Sequence, residues 1–184
     1  EVSTLIYFAC KSFTGQQYIQ IKDISEEMKS IEGLDFEDWK ELSFNERMSV
    51  LQKLEDQISV IAHRPSCELA AMDLSNGHFG YYSNNSNLIV INSDVIESNS
   101  FNDYREALDT LVHEGRHAYQ NYNLYEREVH PRGGDISNWK LNEFSYGYQD
   151  AEYFGFKAYA LQPLEADARA FAEDVLNEFL KNRI

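Results

Sequence analysis

The sequence predicts an α+β fold, mainly helical, with one small antiparallel sheet. Apolar residues three and four apart recur along both halves of the chain, as in Met48, Leu51, Leu54, Ile58 and Ile61, the period of a helix with one buried face. From Cys67 to Val95 the texture changes to short apolar runs separated by Ser-Asn-Gly and Asn-Asn-Ser-Asn, which are strong turn formers. No repeat, low-complexity tract or Pro/Ser-rich linker divides the 184 residues. Residues 1–184 therefore read as a single domain, of a size that buries one core.

Taken in order, the first 62 residues form a helical N-terminal part. VSTLIYFA fits a strand or a helix, and DISEEMKSI reads as a short amphipathic helix ending at Gly33. Ser43-Phe44-Asn45-Glu46 has the capping-box form, with Ser at the cap and Glu three residues later. The helix it opens stops before Pro65. CELAAMDL, HFGYYS and NLIVIN are the strands of a small antiparallel sheet over 67–95. A helix follows over 101–122, burying Tyr104, Leu108, Leu111, Val112, Gly115, Ala118, Tyr119 and Tyr122. After a loop with Pro131, Gly133 and Gly134, a helix is expected near 140–157. The last helix, 163–180, starts at Pro163, which suits a first helical position because it has no amide hydrogen to leave unpaired.

Composition narrows the function. The chain is 43% hydrophobic and 14% aromatic, as globular proteins are. Thirty-one acidic against sixteen basic residues give a net charge of −15. Such a surface repels phosphates, so nucleic acid is not an expected partner. A basic partner is compatible, but a solvated acidic surface is the better explanation of the charge. No apolar run approaches a membrane span. Cys10 and Cys67 lack CxxC spacing and either pair or remain thiols. The start at Glu1 rather than Met is expected of a domain cut from a longer chain.

His113-Glu114-Gly115-Arg116-His117 matches H-E-x-x-H inside a predicted helix. Residues four apart lie one turn apart on one face, so two imidazoles can ligate one zinc ion. Glu114 projects beside them, where its carboxylate can take a proton from a zinc-bound water. A catalytic site needs a third protein ligand. The extended pattern H-E-x-x-H-x-x-G-x-x-H is not met, because Gln120 and Asn123 stand at its Gly and His positions. A carboxylate from LQPLEADARAFAEDV supplies the ligand instead, with Glu165 in the first turn after Pro163 and Ala168 one turn on. Asp167 is an alternative to Glu165, and His130, in the Pro/Gly loop, is another. His63 and His78 read as surface or turn histidines.

The HEGRH helix, followed by Gln-Pro-Leu-Glu-Ala-Asp-Ala whose Glu165 lies 48 residues past the second His, resembles the gluzincin branch of the zincin metallopeptidases. Within it, the arrangement is most similar to small metallopeptidase domains of bacterial polymorphic toxins and phage-type proteins. The resemblance covers about residues 100–180. The strands at 67–95 fit the sheet whose edge strand, in zincins, lies along the substrate. It implies that His113, His117 and Glu165 hold Zn2+ and that Glu114 is general base and acid. It also implies a toxin or effector domain of a larger bacterial protein, secreted or delivered, acting on a peptide or protein and checked by a cognate inhibitor or immunity protein. One departure concerns the acid that gluzincins often place four residues past the ligand Glu, where Arg169 stands here.

Asp167 is then a candidate to orient a ligand His, as is Asp109, one turn before His113. Tyr146, Tyr148, Tyr153 and Tyr159 are candidates for the oxyanion donor, of which Tyr159 is taken as the donor, and Arg116 is expected in a structural ion pair. Two other readings compete with the zinc peptidase. One is a catalytically inactive zincin-fold module bound to a partner protein, against which the intact Glu114 speaks. The other is a helical protein whose histidines bind no metal.

Overall fold

The structure, a computed structural model, describes residues 15–74 and 77–181. The VSTLIYFA segment and Cys10 lie outside these residues. The described chain runs α1 (Gly15–Ser30), α2 (Phe36–Trp39), α3 (Phe44–Ile61), β1 (Glu68–Met72), β2 (Gly80–Ser83), β3 (Leu88–Asn92), α4 (Ser93–Glu97), α5 (Phe101–Tyr125), α6 (Gly133–Lys140), a π-helical turn (Leu141–Tyr146), α7 (Ala151–Phe154), α8 (Phe156–Leu161) and α9 (Pro163–Leu180). The fold is α+β and mainly helical, as expected. No helix among the described residues is long and apolar enough to cross a membrane.

Local chemistry sets the helix starts. The Ser43–Glu46 capping box forms, with the Ser43 amide donating to the Glu46 carboxylate at 2.8 Å. Ser100 caps α5 by accepting from the amides of Asn102 and Asp103. α9 begins at Pro163. Its second amide is satisfied from a distance, since Leu164 N donates to Asn142 Oδ1 at 3.1 Å.

The core lies where α5 packs against α9, α3 and the sheet, with α1 closing over α9. Ile24 and Met28 of α1, Leu51 and Leu54 of α3, Ile89 and Ile91 of β3, Leu108 and Leu111 of α5, and Val175 and Phe179 of α9 are all buried in one cluster. Behind α5 the Arg64–Glu55 ion pair is buried, at 2.6 Å. A Cβ on Gly115 would lie 3.1 Å from Arg64 and 3.4 Å from Glu55. The small residue in the middle of HEGRH thus lets that pair sit directly against the helix.

The sheet departs from expectation. Its order is β1-β3-β2, with β2 antiparallel to β3 but β1 parallel to it. The sheet is mixed, not antiparallel. The turn formers at 84–87 do close a β2–β3 hairpin, with Asn87 at a φ of 49°. LIVIN, however, is a continuous apolar run, and Ile89, Val90 and Ile91 are fully buried. A strand buried on both faces takes the centre, so β1 pairs with its other edge. β2 is left as an edge strand against α5, where a Cβ on Gly80 would lie 2.5 Å from Thr110.

The helix expected near 140–157 is also corrected. Gly147 and Gly155, at φ 77° and 81°, adopt a backbone that favours glycine. They divide that stretch, with the preceding π turn, into short pieces.

Candidate metal centre and its cleft

α5 and α9 bring the first residues of the site together. His113 and His117 lie one turn apart on α5, and Glu165 sits in the first turn of α9. Ala168 and Ala172 are fully buried on α9, which lets the two helices pack closely. The three side chains form a group that could hold a metal ion, with ligand atoms all within 4.8 Å of one another. His117 Nε2 lies 3.0 Å from His113 Nε2 and 3.1 Å from Glu165 Oε1. His113 Nε2 lies 3.4 Å from Glu165 Oε2.

These separations suit a metal. Ligand atoms about 2.0–2.1 Å from a tetrahedral centre lie roughly 3.3 Å from one another. Glu165 is 1% exposed, and its Oε2 has no hydrogen-bond partner, an expensive state for a buried carboxylate unless a cation meets it. The electrostatics agree. Burial works to raise the Glu165 pKa, but the neighbouring His113 and His117 rings outweigh it and hold the carboxyl well below the usual carboxylate range. Burial likewise pulls His117 down, yet the Glu165 carboxylate outweighs it and lifts the ring to about 9. Both shifts favour added positive charge between these groups.

A cleft of about 510 Å³ opens onto the group, lined by His117, Glu165 and Glu114 among others. Glu114 is half-buried and makes no hydrogen bond or ion pair among the described residues, so its carboxylate is uncommitted. One wall is β2, through Gly80, Tyr81 and Tyr82, and the other carries Tyr148 and Tyr159. Tyr148 Oη donates to Glu165 Oε1 at 2.5 Å. Burial first, and then the Glu165 carboxylate, push the pKa of both phenols up, so both stay protonated and able to donate. Tyr146 and Tyr153 are exposed and do not line this cleft.

The remaining residues singled out from the sequence fall away from the group. Asp167 accepts from Arg116 Nε at 2.8 Å and Nη2 at 3.1 Å, and from Gln120 Nε2 at 2.8 Å. Arg116 is thus in the expected ion pair. Asp109 feels the charge of His113 but makes no hydrogen bond to it, and burial raises its pKa. His130 is buried between Tyr119 and Asp135, at 3.1 and 2.9 Å. Arg169 donates to the Ala160 carbonyl at 3.0 Å and comes no closer than 3.9 Å to Glu165. His63 is exposed at the end of α3; His78 is exposed and borders the cleft.

In the sequence, Gln120 served only to show that the Gly of the extended pattern is absent. The structure places its Oε1 2.8 Å from His117 Nδ1. The available signal was its position three residues past His117, on the same helical face. No protein-family model, curated protein or solved structure matches the chain.

Proposed function

We propose that the chain is a zinc-dependent metallopeptidase, with His113, His117 and Glu165 as zinc ligands and Glu114 as general base and acid. One observation carries the reading: two imidazoles and a buried carboxylate converge at ligand spacing, while a second, uncommitted carboxylate faces the same cleft. A donor set of two neutral imidazoles and one carboxylate is typical of catalytic zinc, which keeps a fourth position open. Zinc held there would supply a water acidic enough to react near neutral pH and would polarise the scissile carbonyl.

This chain's own groups do the rest. Glu114, with no partner to compete for it, accepts a proton from the attacking water and returns it to the leaving amine. Tyr159, kept protonated by burial and the neighbouring carboxylates, donates to the oxygen on which charge develops. The edge strand β2 offers unpaired backbone groups along the cleft, so an extended peptide can be held by main-chain hydrogen bonds.

Metal analysis of protein purified without chelator tests the reading. About one zinc per chain is expected, lost in His113→Ala and in Glu165→Ala but retained in Glu114→Gln. Peptide hydrolysis should vanish in all three. An unmetallated wild type would sink the proposal. Hydrolysis persisting in Glu114→Gln would remove the base, and zinc without any hydrolysis in the wild type would favour a binding module.

A further inference from the structure

We propose that Gln120 is a positioning residue that fixes both halves of the metal site at once, setting the tautomer of His117 and the register of the helix that carries Glu165. The inference rests on the metal-site reading above. Gln120 is buried, 1% exposed, and every polar atom of its carboxamide is used. The nitrogen donates to Leu164 O at 2.9 Å and to Asp167 Oδ2 at 2.8 Å. Both partners are acceptors, so the oxygen faces His117 Nδ1, at 2.8 Å. The reverse orientation would set an oxygen against two acceptors. Arg116 holds Asp167 from the other side with two hydrogen bonds, so Asp167 is the fixed acceptor toward which both Arg116 and Gln120 donate, and His117 in turn donates to Gln120.

Two consequences follow. An acceptor at Nδ1 keeps the His117 proton there, which leaves the Nε2 lone pair of the neutral ring facing His113 and Glu165. The same carboxamide grips the carbonyl of Leu164, the residue before Glu165, so α5 and α9 are registered at the ligands themselves. A carboxylate at position 120 would also accept from His117, but it would face the Leu164 carbonyl and the Asp167 carboxylate with no hydrogen to give. The neutral amide is the side chain that satisfies both sides.

Zinc titration of the metal-free full chain against a chromophoric chelator provides the test, together with the ring N–H signals of His117 by NMR in the zinc-loaded protein. Gln120→Ala should weaken zinc binding by about 10–100-fold and abolish the protected Nδ1–H signal. If Gln120→Ala does not fold, Gln120→Met, which keeps the volume, replaces it. Gln120→Glu should also weaken zinc, and adding Asp167→Asn should recover part of the loss by restoring a donor between the two side chains. Wild-type zinc affinity in Gln120→Ala, or an unchanged Nδ1–H signal, would overturn the inference while leaving the metal site standing. Absence of zinc binding in the wild type would overturn the metal site itself.

Discussion

The two sides of the cleft are built differently. On the helix side, His117, Gln120, Arg116 and Asp167 form a connected polar network between α5 and α9, and Arg116 and Gln120 are almost fully buried. Arg116 also stacks within 4.4 Å of Phe171 and 4.6 Å of Tyr119. On the opposite side, residues 141–161 form short helical pieces joined by Gly147 and Gly155. Phe144, Tyr146, Tyr153 and Phe154 there are 58%, 75%, 82% and 60% exposed. The candidate metal ligands sit on the side that carries the buried polar network, and the phenols on the side that touches solvent. A metal site would need ligand atoms held within a few tenths of an ångström, which a buried, hydrogen-bonded network favours. The aromatic side is anchored at one level, where Asn142 and Gln162 tie the π turn and Gln149 to the start of α9.

The largest effect should come from breaking the buried side. Glu55 accepts two hydrogen bonds from Arg64 and one from the Cys67 amide behind α5. Glu55→Ala would strand the guanidinium in the interior, a loss of about 3–5 kcal/mol. By contrast, Tyr153→Ser on the aromatic side should change stability by no more than about 0.5 kcal/mol. Denaturant unfolding of both variants checks the contrast. Comparable losses would mean that residues 141–161 are packed as tightly as the helix pair.

That contrast also explains what could be read from the sequence. The helices carrying His113, Glu114, His117 and Glu165 were legible because their signals are local: i, i+4 spacing, an amphipathic stripe and Pro163 at a first position. The 101–122 helix extends three residues further, to Tyr125, and 163–180 stands as expected. The parallel β1–β3 pair was not legible as such, because strand order depends on which strand is buried on both faces. Only the unbroken apolar run LIVIN hinted at it. The 140–157 stretch misled because its aromatics suggest a buried helical face, whereas positive-φ glycines interrupt it and most of those rings are exposed. Gln120 escaped because its role is set by Leu164 and Asp167, more than forty residues away.

The next effect separates the two phenols. Tyr148 donates to Glu165 Oε1 at 2.5 Å, whereas Tyr159 interacts more loosely with Glu165 and Tyr148 and, on the peptidase reading, can turn to a substrate oxygen. Tyr159→Phe should therefore lower kcat by about 10²–10³-fold with zinc content unchanged. Tyr148→Phe removes a hydrogen bond to a charged group, worth about 1.5–3 kcal/mol where buried and less at its half-open position, and should reduce kcat less. A larger loss in Tyr148→Phe than in Tyr159→Phe would transfer the donor role to Tyr148.

The smallest effect lies at the seam between the two sides, where His130 joins Tyr119 of α5 to Asp135 of α6. Its Nε2 faces a carboxylate and so carries the proton, leaving Nδ1 to accept from the Tyr119 hydroxyl. Burial lowers its pKa below the ordinary 6.5, outweighing the hydrogen bond to Asp135. The sign follows from linkage. As pH falls through 6.5, the unfolded chain takes up a proton on His130 that the folded chain still refuses, so stability is lost as the solution is acidified. The contribution is complete above that pH. His130→Gln, which keeps a donor toward Asp135 but cannot titrate, should flatten the fall in melting temperature between pH 7.5 and 5.5 when both proteins are measured in chelator. Since His113 and His117 are common to both proteins, the difference in slope isolates His130. Equal slopes would mean that protonation at this seam is not coupled to folding.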